Sequence, residues 1–168
     1  MAFAGLGDAE RAWELLAMIN PVNHGNSPEA IAAYRVEPYV VAADVYAVAP
    51  HTERGGWTWY TGSAGWMYRL IVESLLGVRR EGQKLTFAPR IPHTWPTYRI
   101  QYRYGETLYR IRIAQTRAAD TGMSVLVDGV AQVDRSVPLV DDRHDHEVEV
   151  EVAVRREVGQ VRDTSQAR

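Results

Sequence analysis

Residues 97–113, TYRIQYRYGETLYRIRI, alternate apolar and polar side chains with a period of two. Tyr98, Ile100, Tyr102 and Tyr104 fall on one face and Arg99, Gln101 and Arg103 on the other, a sorting that an extended strand produces and a helix does not. Gly105-Glu106 breaks the alternation, which resumes with Tyr109, Ile111 and Ile113. Two such runs around a short glycine-containing turn predict a β-hairpin. The arginines at 99, 103, 110 and 112 then read as the wet face of a sheet rather than a nucleic-acid surface. The tyrosines at 98, 102, 104 and 109 read as cross-strand packing rather than a sugar platform.

Further along, SVLVDGV (124–130) carries an Asp128-Gly129 turn, and HEVEVEVAV (146–154) alternates valines with glutamates. Strands with one wet and one dry face, joined by short turns, predict a small antiparallel β-sandwich domain over residues 85–157. Residues 158–168 are mostly polar and predict a disordered tail. His144-Asp145-His146 sits in the charged run DDRHDHE and reads as a solvated turn between strands rather than a metal site.

Upstream of about residue 84 the period is that of a helix. Asp8 is placed to cap a helix through AERAWELLAMIN that ends at Asn20-Pro21, and Ser27-Pro28-Glu29 has the arrangement that starts another. SAGWMYRLIVESLLGV (63–78) puts Met67, Leu70, Ile71, Ser74, Leu75 and Val78 on one face, with Gly77 close to its end. Both faces of that helix are rather apolar, so deep packing is expected. The fold class is α+β, with a helical portion over 1–84.

The chain has 168 residues, 46% hydrophobic and 24% charged, with a net charge near −2 and no cysteine. The balance argues against a nucleic-acid partner, and the absence of cysteine removes disulfides, thiolate metal sites and a cysteine nucleophile. No apolar run approaches the roughly 18 residues needed to span a bilayer. A soluble, cytoplasmic chain is expected as written.

Chemistry concentrates in residues 51–69, HTERGGWTWYTGSAGWMYR, where three of five tryptophans and four of thirteen glycines fall within nineteen positions. Glycine lets backbone approach a ligand, and tryptophan offers a flat apolar face with one donor. Thr61-Gly62-Ser63 stand before an apolar helix whose first free N–H groups favour an anion, and His51 and Arg54 lie on the preceding loop. The alternative reading makes Ser63 an N-cap, Gly62 a turn residue and the tryptophans packing. The density of aromatic, glycine, histidine and arginine residues in one helix-entry loop favours a site for something polar, flat-sided and anionic.

The runs VEPYVVAADVY (36–46) and PHTERGGWTWYTGSAGWMYRLIVESLLGV (50–78), with AERAWELLAMINPVNH (9–24) and GQKLTFAPRIPHTWP (82–96), resemble the C-terminal part of glycoside phosphorylases of glycoside hydrolase family 94. Within that family they are most similar to the phosphorylase region of cyclic beta-1,2-glucan synthases, whose relatives include cellobiose and chitobiose phosphorylases. The resemblance covers about residues 1–115.

It implies the last helices of an (α/α)6 barrel followed by a β domain, and inverting phosphorolysis of beta-glucans to glucose 1-phosphate. On this resemblance His51, Thr61 and Gly62 hold phosphate, Glu37 contacts the donor sugar, and Trp57 and Trp59 line the sugar cavity. No cofactor is implied; inorganic phosphate is the co-substrate. The partners are a beta-glucan or gluco-oligosaccharide, with a homodimer and attachment to a bacterial inner membrane open for the parent enzyme.

Two departures stand out. The family's general acid is an aspartate in a DWND-like motif, which this sequence lacks, so no catalytic residue is assigned here; Asp44, in a different segment, reads as structural. Glu53 stands where the family pattern HTGRGG leads one to expect glycine. The chain is therefore expected to be a fragment or truncated frame, inactive alone. The competing expectations are a non-catalytic carbohydrate-binding or assembly module carried by the β domain, or a remnant that does not fold.

Overall fold

The computed structural model describes residues 1–37, 39–59, 62–116 and 122–153, and the chain divides into two compact units, Met1–Trp95 and Pro96–Arg168. The tail expected at 158–168 lies outside the described residues.

The first unit begins with α1 (Ala2–Gly5) and α2 (Ala9–Ile19). Asp8 caps α2 as expected, its carboxylate accepting from the Arg11 N–H at 3.0 Å. A short helix, α3 (Pro21–His24), occupies the stretch read from sequence as a loop. Asn20 both ends α2 and caps α3, because its side chain accepts from Val22 N–H and proline at the first helical position needs no N–H partner. α4 (Pro28–Tyr34) is capped by Ser27, whose hydroxyl accepts from Ala30 N–H at 3.1 Å.

After a long loop, α5 (Ser63–Arg69) passes into a π-helical stretch, Leu70–Leu75, and Gly77, at φ +70°, follows its end. Ala4, Ala12, Leu16, Met67 and Leu75 form the buried cluster, with Trp13, Val41, Leu70 and Ile71 packed against it. The deep packing expected along residues 63–78 is seen in part: Leu75 is fully buried, but α5 leaves large side chains open. Trp66 and Tyr68 are 58% and 68% exposed, and only the side bearing Met67 reaches the cluster.

Strand structure starts at once after Gly77, inside the span read as helical. β1 (Val78–Glu81) pairs antiparallel with β2 (Lys84–Phe87). The chain then returns to α2: the Trp13 indole N–H donates to Arg90 C=O at 2.7 Å, and its ring lies 4.8 Å from that of Trp95. Glu10 accepts from His93 N–H at 2.9 Å, and that bond is the main reason its carboxyl is held below the usual carboxylate range.

The second unit is built on a five-stranded sheet of β3 (Thr97–Tyr104), β4 (Thr107–Thr116), β5 (Met123–Val127), β6 (Val130–Ala131) and β8 (His146–Ala153), with β7 (Val137–Pro138) between β6 and β8 in the chain. The spatial order is β3-β4-β8-β5-β6. The hairpin read from residues 97–113 is present, with Tyr104 opposite Thr107 across Gly105-Glu106, and the Asp128-Gly129 turn joins β5 to β6 with both residues at positive φ.

The expected purely antiparallel arrangement is corrected: β4 and β8 run parallel, from Tyr109 opposite His146 to Thr116 opposite Ala153. With the other pairs antiparallel the sheet is mixed, which period-two alternation could not reveal because it sorts side chains between faces and is blind to strand direction. Ile111, Ile113, Val125, Val148 and Val150 fill its dry face, each at most 1% exposed. Arg99, Arg103, Arg110, Arg112, Glu147, Glu149 and Glu151 occupy the wet one. Arg110 there pairs with Asp145 at 2.5 Å and Glu147 at 3.4 Å.

Candidate functional site

The loop between α4 and α5 folds back on itself as a narrow ribbon. Ala43 N–H donates to Trp57 C=O at 2.7 Å, Gly56 N–H to Asp44 C=O at 2.9 Å and Tyr46 N–H to Arg54 C=O at 2.9 Å, around an antiparallel bridge of Val45 with Gly55. The ribbon is anchored to α4 through Tyr34, which is 2% exposed. Gly55 N–H donates to Tyr34 C=O at 2.9 Å, and a Cβ at Gly55 would run into Val36 and the Tyr34 ring. Tyr34 in turn stacks on His24 of α3 at 4.5 Å and 9°. The short helix missed in the sequence thus supports the seat of the site.

Tyr46, His51, Arg54, Gly55, Gly56 and Trp57 line an open cleft of about 400 Å³. It joins an imidazole, a guanidinium and an indole that is 75% exposed, so it offers cationic or hydrogen-bonding groups to an anion and a flat face to a ring. His51 and Trp57, two of the sequence-derived candidates, are brought together here. Glu37 and Trp59 meet separately, the indole N–H donating to Glu37 Oε1 at 3.5 Å, with Tyr39 edge-on to Trp59 at 6.4 Å. Trp59 is 66% exposed and held at φ +62°, a costly region for a bulky residue and one that concentrates at functional sites.

Gly62 is the N-cap of α5, the position the alternative reading gave to Ser63, and Ser63 is the first helical residue. Gly62 does not line the cleft, and a Cβ there would meet only the Trp66 ring at an ordinary 3.6 Å. Thr61 lies outside the described residues. Tyr39 and Tyr46 were missed by sequence reasoning. Their only signal was being aromatic within VEPYVVAADVY, which reads as apolar packing until the ribbon folds.

The Asp44 carboxylate lies against the backbone of Gly56, where any Cβ would collide with it. That contact fits a structural role for Asp44. Glu53 sits at φ +68°, its N–H donating to Tyr46 C=O at 2.7 Å, and this left-handed conformation explains why glycine was expected there. Glu53→Gly should relieve about 1 kcal/mol of backbone strain, partly offset by the freer unfolded chain. The expected result is a small rise in Tm on thermal melting; a fall of several degrees would show that the Glu53 side chain holds the ribbon.

Among the described residues no helix is long and apolar enough to cross a membrane. Residues 1–77 match the glycosyl hydrolase 94 superfamily catalytic domain, and residues 78–119 match the C-terminal domain of glycosyl hydrolase family 65. The chain is 50% identical over 115 residues to the cyclic beta-(1,2)-glucan synthase NdvB of Rhizobium meliloti (strain 1021), covering 68% of this chain and 4% of that protein. It is 31% identical over 134 residues to N,N'-diacetylchitobiose phosphorylase of Vibrio furnissii, covering 78% and 16%. With 3-O-beta-D-glucopyranosyl-beta-D-glucuronide phosphorylase of Paenibacillus borealis the identity is 28% over 136 residues, covering 79% and 17%. The chain therefore spans between 4% and 17% of the length of these curated relatives.

Proposed function

The chain belongs, through residues 1–77, to the glycosyl hydrolase 94 superfamily, and on that premise we propose that it forms the phosphate- and sugar-binding side of an inverting glycoside phosphorylase. The substrate class is a beta-glucan, with beta-1,2 linkages favoured by the 50% identity to a cyclic beta-(1,2)-glucan synthase. The observation that carries this reading is the cleft itself, whose lining includes His51, Arg54, Gly55, Gly56 and Trp57.

In the proposed reaction a phosphate oxygen attacks the anomeric carbon from the face opposite the glycosidic bond. That bond breaks, its oxygen takes a proton from a carboxylic acid supplied outside these residues, and glucose 1-phosphate leaves with inverted configuration. Phosphate takes the place of the water that an inverting hydrolase activates, so one carboxylic acid suffices and the second role becomes anion binding. His51 would hold the phosphate in the cleft; Thr61 and Gly62 are assigned to the same anion by the family resemblance and not by the cleft's lining. Glu37 would accept from sugar hydroxyls while Trp57 and Trp59 wall the ring. Two functional carboxylates are not needed, and none is assigned as acid here.

The exposed Trp66 and Tyr68 on α5 support the wider architecture in the same way. They lie two positions apart and so on different sides of α5, and large apolar side chains left open around a helix are what a helix of an (α/α)6 barrel would present to the neighbouring helices of a longer protein.

The test is calorimetric titration of the chain with linear beta-1,2-gluco-oligosaccharides, with and without inorganic phosphate, read beside tryptophan fluorescence. Sugar uptake that strengthens with phosphate, and loses that dependence in His51→Ala, is expected. Trp59→Ala should weaken sugar binding by about 1 kcal/mol, roughly fivefold. Uptake indifferent to phosphate and unchanged in both variants would overturn the site and favour a binding module.

A further inference from the structure

Outside the cleft, the second unit carries a cluster for which its sheet alone has no need. His146, the first residue of β8, stacks on Tyr109 of β4 at 5.0 Å and 28°. Its Nδ1 lies 2.7 Å from Asp128 Oδ2, on the turn joining β5 to β6, and its Nε2 lies 3.3 Å from Asp142, on the loop before β8. Both ring nitrogens therefore face carboxylates, which accept and do not donate. A neutral imidazole has one donor and one acceptor nitrogen, so it satisfies only one of these partners; the imidazolium has two donors and satisfies both.

We propose that His146 is a protonation-controlled clasp that ties the Asp128-Gly129 turn to the 141–145 loop, closed when the ring is an imidazolium and half-released when it is neutral. The longer link, to Asp142, is the one that opens. The neighbouring carboxylates outside the clasp are committed elsewhere. Asp141 accepts from Glu106 N–H at 2.8 Å, and Asp145 and Glu147 pair with Arg110. Asp142 also accepts from His144 N–H at 3.0 Å, with the His144 ring 3.8 Å away. Tyr109 holds residues 138–140 through its hydroxyl, which accepts from Val140 N–H at 2.7 Å, so that stretch stays in place whichever state the clasp is in.

The direction of titration agrees with the geometry. Hydrogen bonding to Asp128 is the largest influence raising His146 above its ordinary value, while Asp128 is lowered first by its bond to His146 and Asp142 first by its bond to the His144 N–H. A raised histidine contributes stability that is complete below about pH 6.5 and lost as pH rises through its folded value. The lowered carboxylates contribute stability that is complete above about pH 3.9 and lost as pH falls through theirs. The clasp is closed between those limits.

The test is an NMR pH titration of the chain, following the His146 ring protons and the amide exchange of Arg143 and His144. The His146 midpoint should lie above the ordinary histidine value of about 6.5. Exchange at Arg143 and His144 should rise through that midpoint beyond the intrinsic base-catalysed increase, while the Ile113 amide stays protected. Asp142→Asn, at a half-exposed position where the amide oxygen can still accept from His144 N–H, should lower the midpoint; Asp128→Asn should lower it further. A midpoint at or below the ordinary value, or one unchanged by Asp142→Asn, would overturn the clasp even if the Asp128 variant fails to fold.

Discussion

Gly77→Ala is expected to destabilise the chain by about 3 kcal/mol or more, enough to unfold much of a marginally stable domain. Two costs add at this position. The residue sits at φ +70°, where a side chain costs about 1–2 kcal/mol. A Cβ would also overlap the carbonyl of Ala88 and the nitrogen of Pro89, and these are backbone atoms that cannot rotate out of the way. Relief would pull apart the Ala88 N–H to Gly77 C=O bond of 2.7 Å and the neighbouring Arg90 N–H to Leu75 C=O bond of 2.8 Å. Those two bonds pin the end of the π-helical stretch to the segment after β2. Gly82→Ala is the control: φ is +62° there, but nothing lies within 4 Å of the added Cβ, so only the conformational cost of about 1 kcal/mol should appear. Urea denaturation followed by circular dichroism separates them. Equal losses in the two variants would mean that the backbone approach at Ala88 carries no energy.

That junction also shows what the sequence could and could not reveal. Gly77 was legible as the end of a helix, since a residue at positive φ is what a terminating glycine supplies. The strand beginning at Val78 was not legible, because VRRE (78–81) is only four residues long with one buried side chain, too short for alternation to register. The caps at Asp8 and Ser27 were readable because a side-chain acceptor and its N–H partner lie three residues apart. Asn20-Pro21 carried both a stop and a start, and only the stop was read.

In the site, residue types announced themselves and their partners did not. His51 and Trp57 line one cleft, and Glu37 reaches Trp59, only because residues 43–46 fold onto 54–57. That pairing rests on backbone hydrogen bonds, which leave no mark in side-chain pattern. Glu53 was the informative exception: a departure from an expected glycine marked a residue held at positive φ.

Ile113→Ala is expected to cost about 2–5 kcal/mol, the range for deleting a buried branched side chain whose cavity cannot collapse. Collapse is hindered here from both sides. Ile113 is fully buried, opposite Tyr98 on β3 and Val150 on β8, and its carbonyl is held by the Thr97 hydroxyl at 2.9 Å. Its neighbour Arg112 is the counter-case. It faces Arg99 across β3 and Glu149 across β8 on the wet side, where one like and one opposite neighbour roughly cancel, so Arg112→Ala should change stability by no more than about 0.5 kcal/mol. One residue along the same strand thus separates a large effect from almost none, and unfolding of the two variants by urea measures the difference directly. A large loss for Arg112→Ala would mean that the arginine stems cover apolar surface beneath them, and that the face the alternation marks as wet is in fact partly dry.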